Sequence, residues 1–294
     1  MYPTSYLRES QPDWLTVGAH RRTSVQTMRN LANGLATAEE ADGNHKRPWR
    51  LLGYEGYRCG RVRWGEARGW GLMQLSGDSA NAYLAAALAC ADSVSRLDLA
   101  VTVQTDRPQP DLGRSVYDQA TAWRVTHPKA ARPWFIGGDD CGWTTYIGQR
   151  QSDLFFRCYD KAAETRDAGD ESNIRQYVNA WRYELELKGE AAESTARRLL
   201  DSGNIHNATN ALLHGWLSAR GVTPAWDVDQ PIRPIGTLRR RSDRDRKLDW
   251  LLSQVRPTVQ WLVENGDGAA VMANLGLSYG FAAAESPISA DAKG

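Results

Sequence analysis

Three segments of the chain alternate between apolar and polar residues over the length of a strand. In SRLDLAVTVQTD, Leu97, Leu99, Val101 and Val103 share one parity, with Arg96 and Asp98 on the other. In WRYELELKG, Tyr183, Leu185 and Leu187 oppose Arg182, Glu184 and Glu186. In LFFRCYDKAAE, Arg157, Tyr159 and Lys161 fall on alternate positions. Successive side chains of a strand point to opposite faces, so a period of two sorts each segment into a wet face and a dry one. Such alternation belongs to antiparallel sheets covered on one side, because buried parallel strands are apolar on both faces.

The rest of the chain supplies the cover. Residues 13–18 (DWLTVG) read as a further strand, and 23–35 as a helix with Val25, Met28 and Leu31 on one side. AEEADGNHKRP reads as a loop, and the stretch from Trp49 to Gly77 as strands broken by glycines. Residues 78–94 open on an Asp/Ser cap and read as one alanine-rich helix; SVYDQATAWRVTH reads as another. TTYIG and LFFRCYDK form a hairpin joined by QRQSD. After Gly189 the texture becomes helical, each segment closing on a glycine. The expected class is α+β: an antiparallel sheet with helices on one face, then a helical C-terminal part. The expected division is a domain over 1–222, a proline-rich linker over 223–236, a helical segment over 237–276 and a frayed tail over 277–294.

Composition narrows the classes. With 41% hydrophobic residues and a net charge of +1, the chain can build a core and carries no global polyanion-binding charge. No apolar run reaches the roughly 18 residues that span a bilayer. MYPTSYLRESQPDWL lacks the basic-then-apolar order of a signal peptide, so a cytoplasmic location is expected. Cys59, Cys90, Cys141 and Cys158 have no CxxC spacing and read as buried or half-buried thiols; the five histidines are isolated. Cations cluster locally instead, at Arg58, Arg61, Arg63 and Arg68 and again from Arg239 to Lys247. Either run is a solvated face or a contact for nucleic acid.

On the polar parity the three alternating segments offer carboxylates, cations and one phenol. Carboxylates from separate strands can hold a hard divalent cation through oxygen ligands. A phenol flanked by Arg157 and Lys161 suits attack on a phosphodiester, with the cations favouring the phenolate and gripping phosphate oxygens. Tyr146, on the facing hairpin strand, is the rival phenol, or else an aromatic cross-strand partner.

The hairpin TTYIGQRQSDLFFRCYDKAAE, followed by WRYELELKG and preceded by SRLDLAVTV, resembles the replication initiation factor family. This is the group of rolling-circle initiators and related relaxases of plasmids, filamentous phages and integrative elements. KLDWLLSQVRPTVQWLVENG resembles its C-terminal helix. The resemblance implies a site-specific endonuclease, dependent on magnesium or manganese. It would nick one strand, remain linked through tyrosine to the 5′ phosphate and leave a 3′ hydroxyl as primer. It places the nucleophile at Tyr159 within Arg157-Cys158-Tyr159-Asp160-Lys161, and the metal at Asp98 and Glu184, with Glu186 next. Where the family more usually has YIGS and a basic residue, this chain has YIGQRQS, which moves the DNA-contacting role to Arg150. Arg182, Arg239, Arg240 and Arg241 complete the expected DNA contacts. The implied partner is origin DNA, single-stranded or hairpin at the nick site, with a host helicase or a second copy as further partners. A non-enzymatic DNA-binding regulator and a conjugative relaxase remain alternatives, as does a nuclease that uses water.

Overall fold

The computed structural model describes residues 5–106, 112–138, 142–167, 169, 175–228, 247–248, 251, 255–267, 270 and 273. Contacts divide the chain into two units, Met1–Gly236 and Thr237–Gly294.

In the first unit ten strands form one sheet, each antiparallel to its neighbours. They are β1 (Ser5–Ala19), β2 (Arg47–Leu51), β3 (Tyr54–Cys59), β4 (Val62–Ala67), β5 (Trp70–Ser76), β6 (Ser93–Thr105), β7 (Pro133–Gly138), β8 (Gly142–Ile147), β9 (Leu154–Asp160) and β10 (Ala180–Lys188). The spatial order is β2-β3-β4-β5-β1-β6-β10-β9-β8-β7. The three alternating segments thus lie side by side as β6, β10 and β9, with β2 and β7 at the edges. Gly148 starts the β8–β9 turn at a φ of 98°, in the left-handed region open to glycine.

The dry face carries Leu97, Leu99, Val101, Val103, Phe156, Cys158, Tyr183, Leu185 and Leu187, all buried. Helices α1 (Arg22–Ala41), α3 (Leu84–Cys90), α4 (Leu112–Thr126), α6 (Gly189–Asp201) and α7 (Ile205–Ser218) share its core, through residues such as Met28, Leu84, Val116, Leu199 and Trp216. Two shorter helices, α2 (Asp78–Ala82) and α5 (Lys161–Asp167), come after β5 and β9. Cys59, Cys90 and Cys158 are buried free thiols. The α+β class read from alternation is the observed one.

Several boundaries differ from the sequence reading. Helix α1 runs past Gly34 to Ala41, since the good helix formers Ala36, Ala38, Glu39 and Glu40 come after it. The helix expected over 78–94 is two, interrupted at Tyr83 and ended at Cys90. It stops early because Ser93 already pairs with Gly18 in the sheet. Strand β1 spans fifteen residues, reaching far N-terminal of Asp13, with irregular register against β6 on both sides of Pro12. Edge strand β7, short and bounded by proline and glycine, has no counterpart in the alternation pattern. The proline-rich stretch after Val222 begins by docking: Trp226 is buried and meets the Tyr183 ring edge-on at 4.8 Å.

In the second unit, helix α8 (Arg256–Glu264) carries Pro257 in its first turn, where a missing N–H costs nothing. The 277–294 tail lies outside the described residues.

Candidate functional site

Strand β10 is the axis of the polar face. Its register sets Arg182 opposite Tyr159 on one side and Thr102 on the other. Glu184 faces Arg157 and Ala100; Glu186 faces Phe155 and Asp98. Direct cross-strand partners share a face and approach within bonding reach of long side chains.

Glu184 is the hub. The Tyr159 hydroxyl donates to Glu184 Oε1 at 2.7 Å, and Arg182 Nε donates to the same oxygen at 3.0 Å. Arg157 Nε donates to Oε2. Arg182 also bonds Glu9 (3.1 Å), Asp13 (2.6 Å) and the Thr102 hydroxyl (3.0 Å). The polar face is therefore not the open, solvated surface that alternation suggests: Arg182 is 4% exposed, Glu184 3% and Tyr159 9%. The residues exclude water from one another by pairing.

This packing sets the protonation states. Burial would raise the Glu184 carboxyl, but the Arg157 and Arg182 charges outweigh it and hold its pKa below the usual range. Burial, and then the Glu184 charge, push the Tyr159 phenol well above its ordinary value. The flanking cations do not yield a resting phenolate, because the nearest charge is a carboxylate that wants the proton left in place. Asp98 is raised to about 6, by burial first and also by the Glu184 and Glu186 charges, despite its pair with Arg96.

The three carboxylates expected to hold a divalent cation are already engaged. Both Asp98 oxygens accept from Arg96, at 2.8 and 2.6 Å. Glu186 is divided between Arg96 (3.1 Å) and Lys188 (2.9 Å). Together with Glu184, all six oxygens face cationic donors, and among the described residues no three His, Cys, Asp or Glu side chains converge as a ligand set. In this arrangement the residues do not fit a metal ion.

Lys161 is not the third residue of the strand face but the first of helix α5. The Asp160 carboxylate accepts from the amides of Ala162 (2.8 Å) and Ala163 (3.1 Å), an N-cap that turns the chain out of the sheet. The Lys161 ammonium still reaches to 5.9 Å from the Tyr159 ring centre and 5.4 Å from that of Tyr177, while pairing with Glu164. Arg150 is exposed in the β8–β9 turn, at the opposite end of β9 from Tyr159. Arg239, Arg240 and Arg241 lie outside the described residues. Tyr146 stacks on Trp134 at 3.9 Å and on Phe155 at 5.6 Å, a ladder across three strands.

Glu9, Asp13 and Tyr177, unforeseen in the sequence reading, join the cluster; the Tyr177 hydroxyl donates to Glu9 at 3.0 Å. For Glu9 and Asp13 the sequence holds only a partial signal in RESQPDW, where Glu9, Gln11 and Asp13 alternate but Pro12 and a register shift interrupt the strand. A polar cleft of about 420 Å³ opens beside them, walled by Arg61, Asp78, Tyr159, Lys161, Gln176 and Glu184 among others.

Fold and site define an α+β protein whose sheet carries a buried tyrosine–carboxylate–arginine cluster at the foot of a polar cleft. Residues 93–272, more than half of the chain, match the model of the family described as replication initiation factor. The chain belongs to that family, the one its hairpin and ELEL segments resemble. A replication initiation protein of Staphylococcus aureus is 31% identical over 97 residues, which are 33% of this chain and 26% of that one. The match thus spans about a quarter of the relative's length. A solved rolling circle replication initiator protein from Geobacillus stearothermophilus is 15% identical, with a TM-score of 0.46, covering 78% of this chain and 92% of that one. Among the described residues no helix is long and apolar enough to cross a membrane.

Proposed function

We propose that this chain is a rolling-circle replication initiator that nicks one DNA strand by transesterification to Tyr159. The observation that carries the reading is the 2.7 Å hydrogen bond from the Tyr159 hydroxyl to Glu184, a carboxylate fixed from two sides by Arg157 and Arg182.

The chemistry runs as an in-line displacement. The Tyr159 oxygen bonds to phosphorus and its proton passes to Glu184 Oε1 as that bond forms. The bond from phosphorus to the 3′ oxygen breaks, and the departing oxygen takes a proton from solvent to become the primer hydroxyl. One phosphodiester replaces another, so the step is reversible and the strand can be rejoined. Arg157 and Lys161, both about the Tyr159 ring, supply charge for the non-bridging oxygens. Among the described residues, the carboxylates that the resemblance assigns to a divalent cation are paired with arginine and lysine instead. Origin DNA is the proposed partner.

The test is a gel of end-labelled single-stranded DNA incubated with the protein and then denatured. A labelled band migrating with the protein supports the tyrosine nickase. Nicked DNA without an adduct favours water as the nucleophile, and binding without nicking favours a regulator.

A further inference from the structure

The basic run around Arg58 to Arg68 separates, in three dimensions, into residues with different partners. Arg61 pairs with Asp78 at 2.6 Å, and Arg68 occupies the β4–β5 turn. Arg58 and Arg63 instead stand directly opposite each other on β3 and β4, and Arg47 stands opposite Arg58 on β2. Three guanidinium groups thus form one cross-strand row on one face. Like charges in direct register destabilise a sheet, and proteins usually interleave acids to avoid it. Here the nearby acids are committed elsewhere: Glu55 pairs with Arg50 and Glu66 with Arg29. Among the described residues, none of the row's three arginines has an acidic partner within an ion pair's reach. Arg63 Nη1 is buried with no hydrogen-bond acceptor.

Two further contacts give the row a direction and a wall. Trp14, paired with Asp98 across β1 and β6, lies beneath the Arg63 guanidinium at 4.9 Å and the Arg96 guanidinium at 5.0 Å. The row therefore continues through Trp14 and Arg96 to the carboxylates beside Tyr159. On the row's own face, Trp49 lies against Gly65, where an added Cβ would come within 2.9 Å of the indole.

We infer that Arg47, Arg58 and Arg63, walled by Trp49, form a DNA phosphate-backbone site distinct from the nicking site. An unneutralised row of cations on the same sheet face fits a polyanion that already reaches Tyr159, so the inference rests on the nicking reading for its orientation. From β4 and β2 to β9 there are five and seven strand spacings, on the order of 24–34 Å. That is about 7–10 base pairs at a rise of 3.4 Å. The occupant is duplex DNA flanking the nick, held without regard to sequence.

The test uses the full chain carrying Arg47→Gln and Arg58→Gln, both exposed positions. The probes are a 30-base-pair random duplex, read by fluorescence anisotropy across salt concentrations, and thermal melting without DNA. Two lost phosphate contacts should reduce the slope of log affinity against log salt by about 1.8. Without DNA the variant should melt no lower than the parent, because repulsion has been relieved. An unchanged slope overturns the site and leaves a solvated face; melting several degrees lower overturns it too, since the arginines would then hold the meander. The slope does not depend on Tyr159. Loss of the covalent adduct would sink the nicking reading alone, and an unchanged slope would sink the backbone site alone.

Discussion

Tyr159 and Glu184 are bonded across neighbouring strands, hydroxyl to carboxylate at 2.7 Å, with Glu184 buried and ionised between two guanidinium groups. In the proposed nicking reaction, a phenol that keeps its proton at rest must give it up as its oxygen attacks, and this carboxylate is already in contact with that proton.

Tyr159→Phe removes one oxygen and leaves Glu184 its two arginines. Folding should survive with a loss of about 1 kcal/mol. Nicking, the denaturation-resistant adduct and strand rejoining should vanish together, because one atom serves all three. Tyr146→Phe, which alters a ring stacked between Trp134 and Phe155, should keep the adduct. If the adduct is found instead in Tyr159→Phe and lost in Tyr146→Phe, the two roles are exchanged.

Glu184→Gln keeps an acceptor for the hydroxyl but removes the base. Cleavage should fall by about 10²–10⁴ while DNA affinity changes little. Single-turnover nicking beside an anisotropy titration separates the two effects. Unchanged nicking would remove Glu184 from the proton's path.

Arg182→Ala should cost about 3–5 kcal/mol, the usual result of leaving buried carboxylates without their counter-charge. Glu184 and the part-buried Glu9 and Asp13 all lose a partner. Denaturant unfolding reads this directly. A loss below about 1 kcal/mol, the range of exposed pairs, would mean that the cluster is wetter than its burial indicates.

Asp98 gives a pH signature. Its folded pKa, about 6, lies above the ordinary 3.8, so the folded chain holds this proton more tightly than the unfolded one. The stability it contributes is full below about pH 4 and is lost as pH rises through 6. Two units correspond to on the order of 3 kcal/mol. The stability difference between the parent and Asp98→Asn, followed by melting from pH 4 to 7, should move against the parent over that window. A flat difference would show that Arg96 compensates burial fully.

Arg96 holds both oxygens of Asp98 and one of Glu186. Its replacement by glutamine should therefore increase the affinity of the DNA-free protein for manganese, measured by calorimetry. Equal affinity in both proteins would mean that any cation binds away from these carboxylates.

Alternation made the sheet legible. Leu97, Leu99 and Val101 face the core and Asp98 does not, as the period of two requires. It could not distinguish a polar residue facing water from one facing an opposite charge, so the burial of Arg182 and Glu184 was invisible. Lys161 was misplaced because parity was carried one residue too far. The Asp160 carboxylate caps the next helix, and the sequence Asp-Lys-Ala-Ala-Glu already holds that cap. Glu9 and Asp13 were missed for a different reason. Their strand runs fifteen residues with irregular register around Pro12, which breaks the pattern a strand reading depends on. The partners of Arg47 and Arg58 are set by hairpin register, which glycine-broken strands do not announce.

Among the described residues no further strand pairs with the outer side of β2 or β7, and an open edge is a template on which another molecule can add a strand. Both edge strands carry features that discourage such pairing, although β7 also exposes Trp134 and Ile136. β2 reads Arg-Pro-Trp-Arg-Leu, with charge at its first and fourth positions and a proline that has no N–H to offer. β7 starts on Pro133, is six residues long and ends in Gly137 and Gly138. Ten strands backed by a single apolar layer would otherwise invite polymerisation. Short edges that carry proline disfavour continuation of the sheet from one molecule into the next.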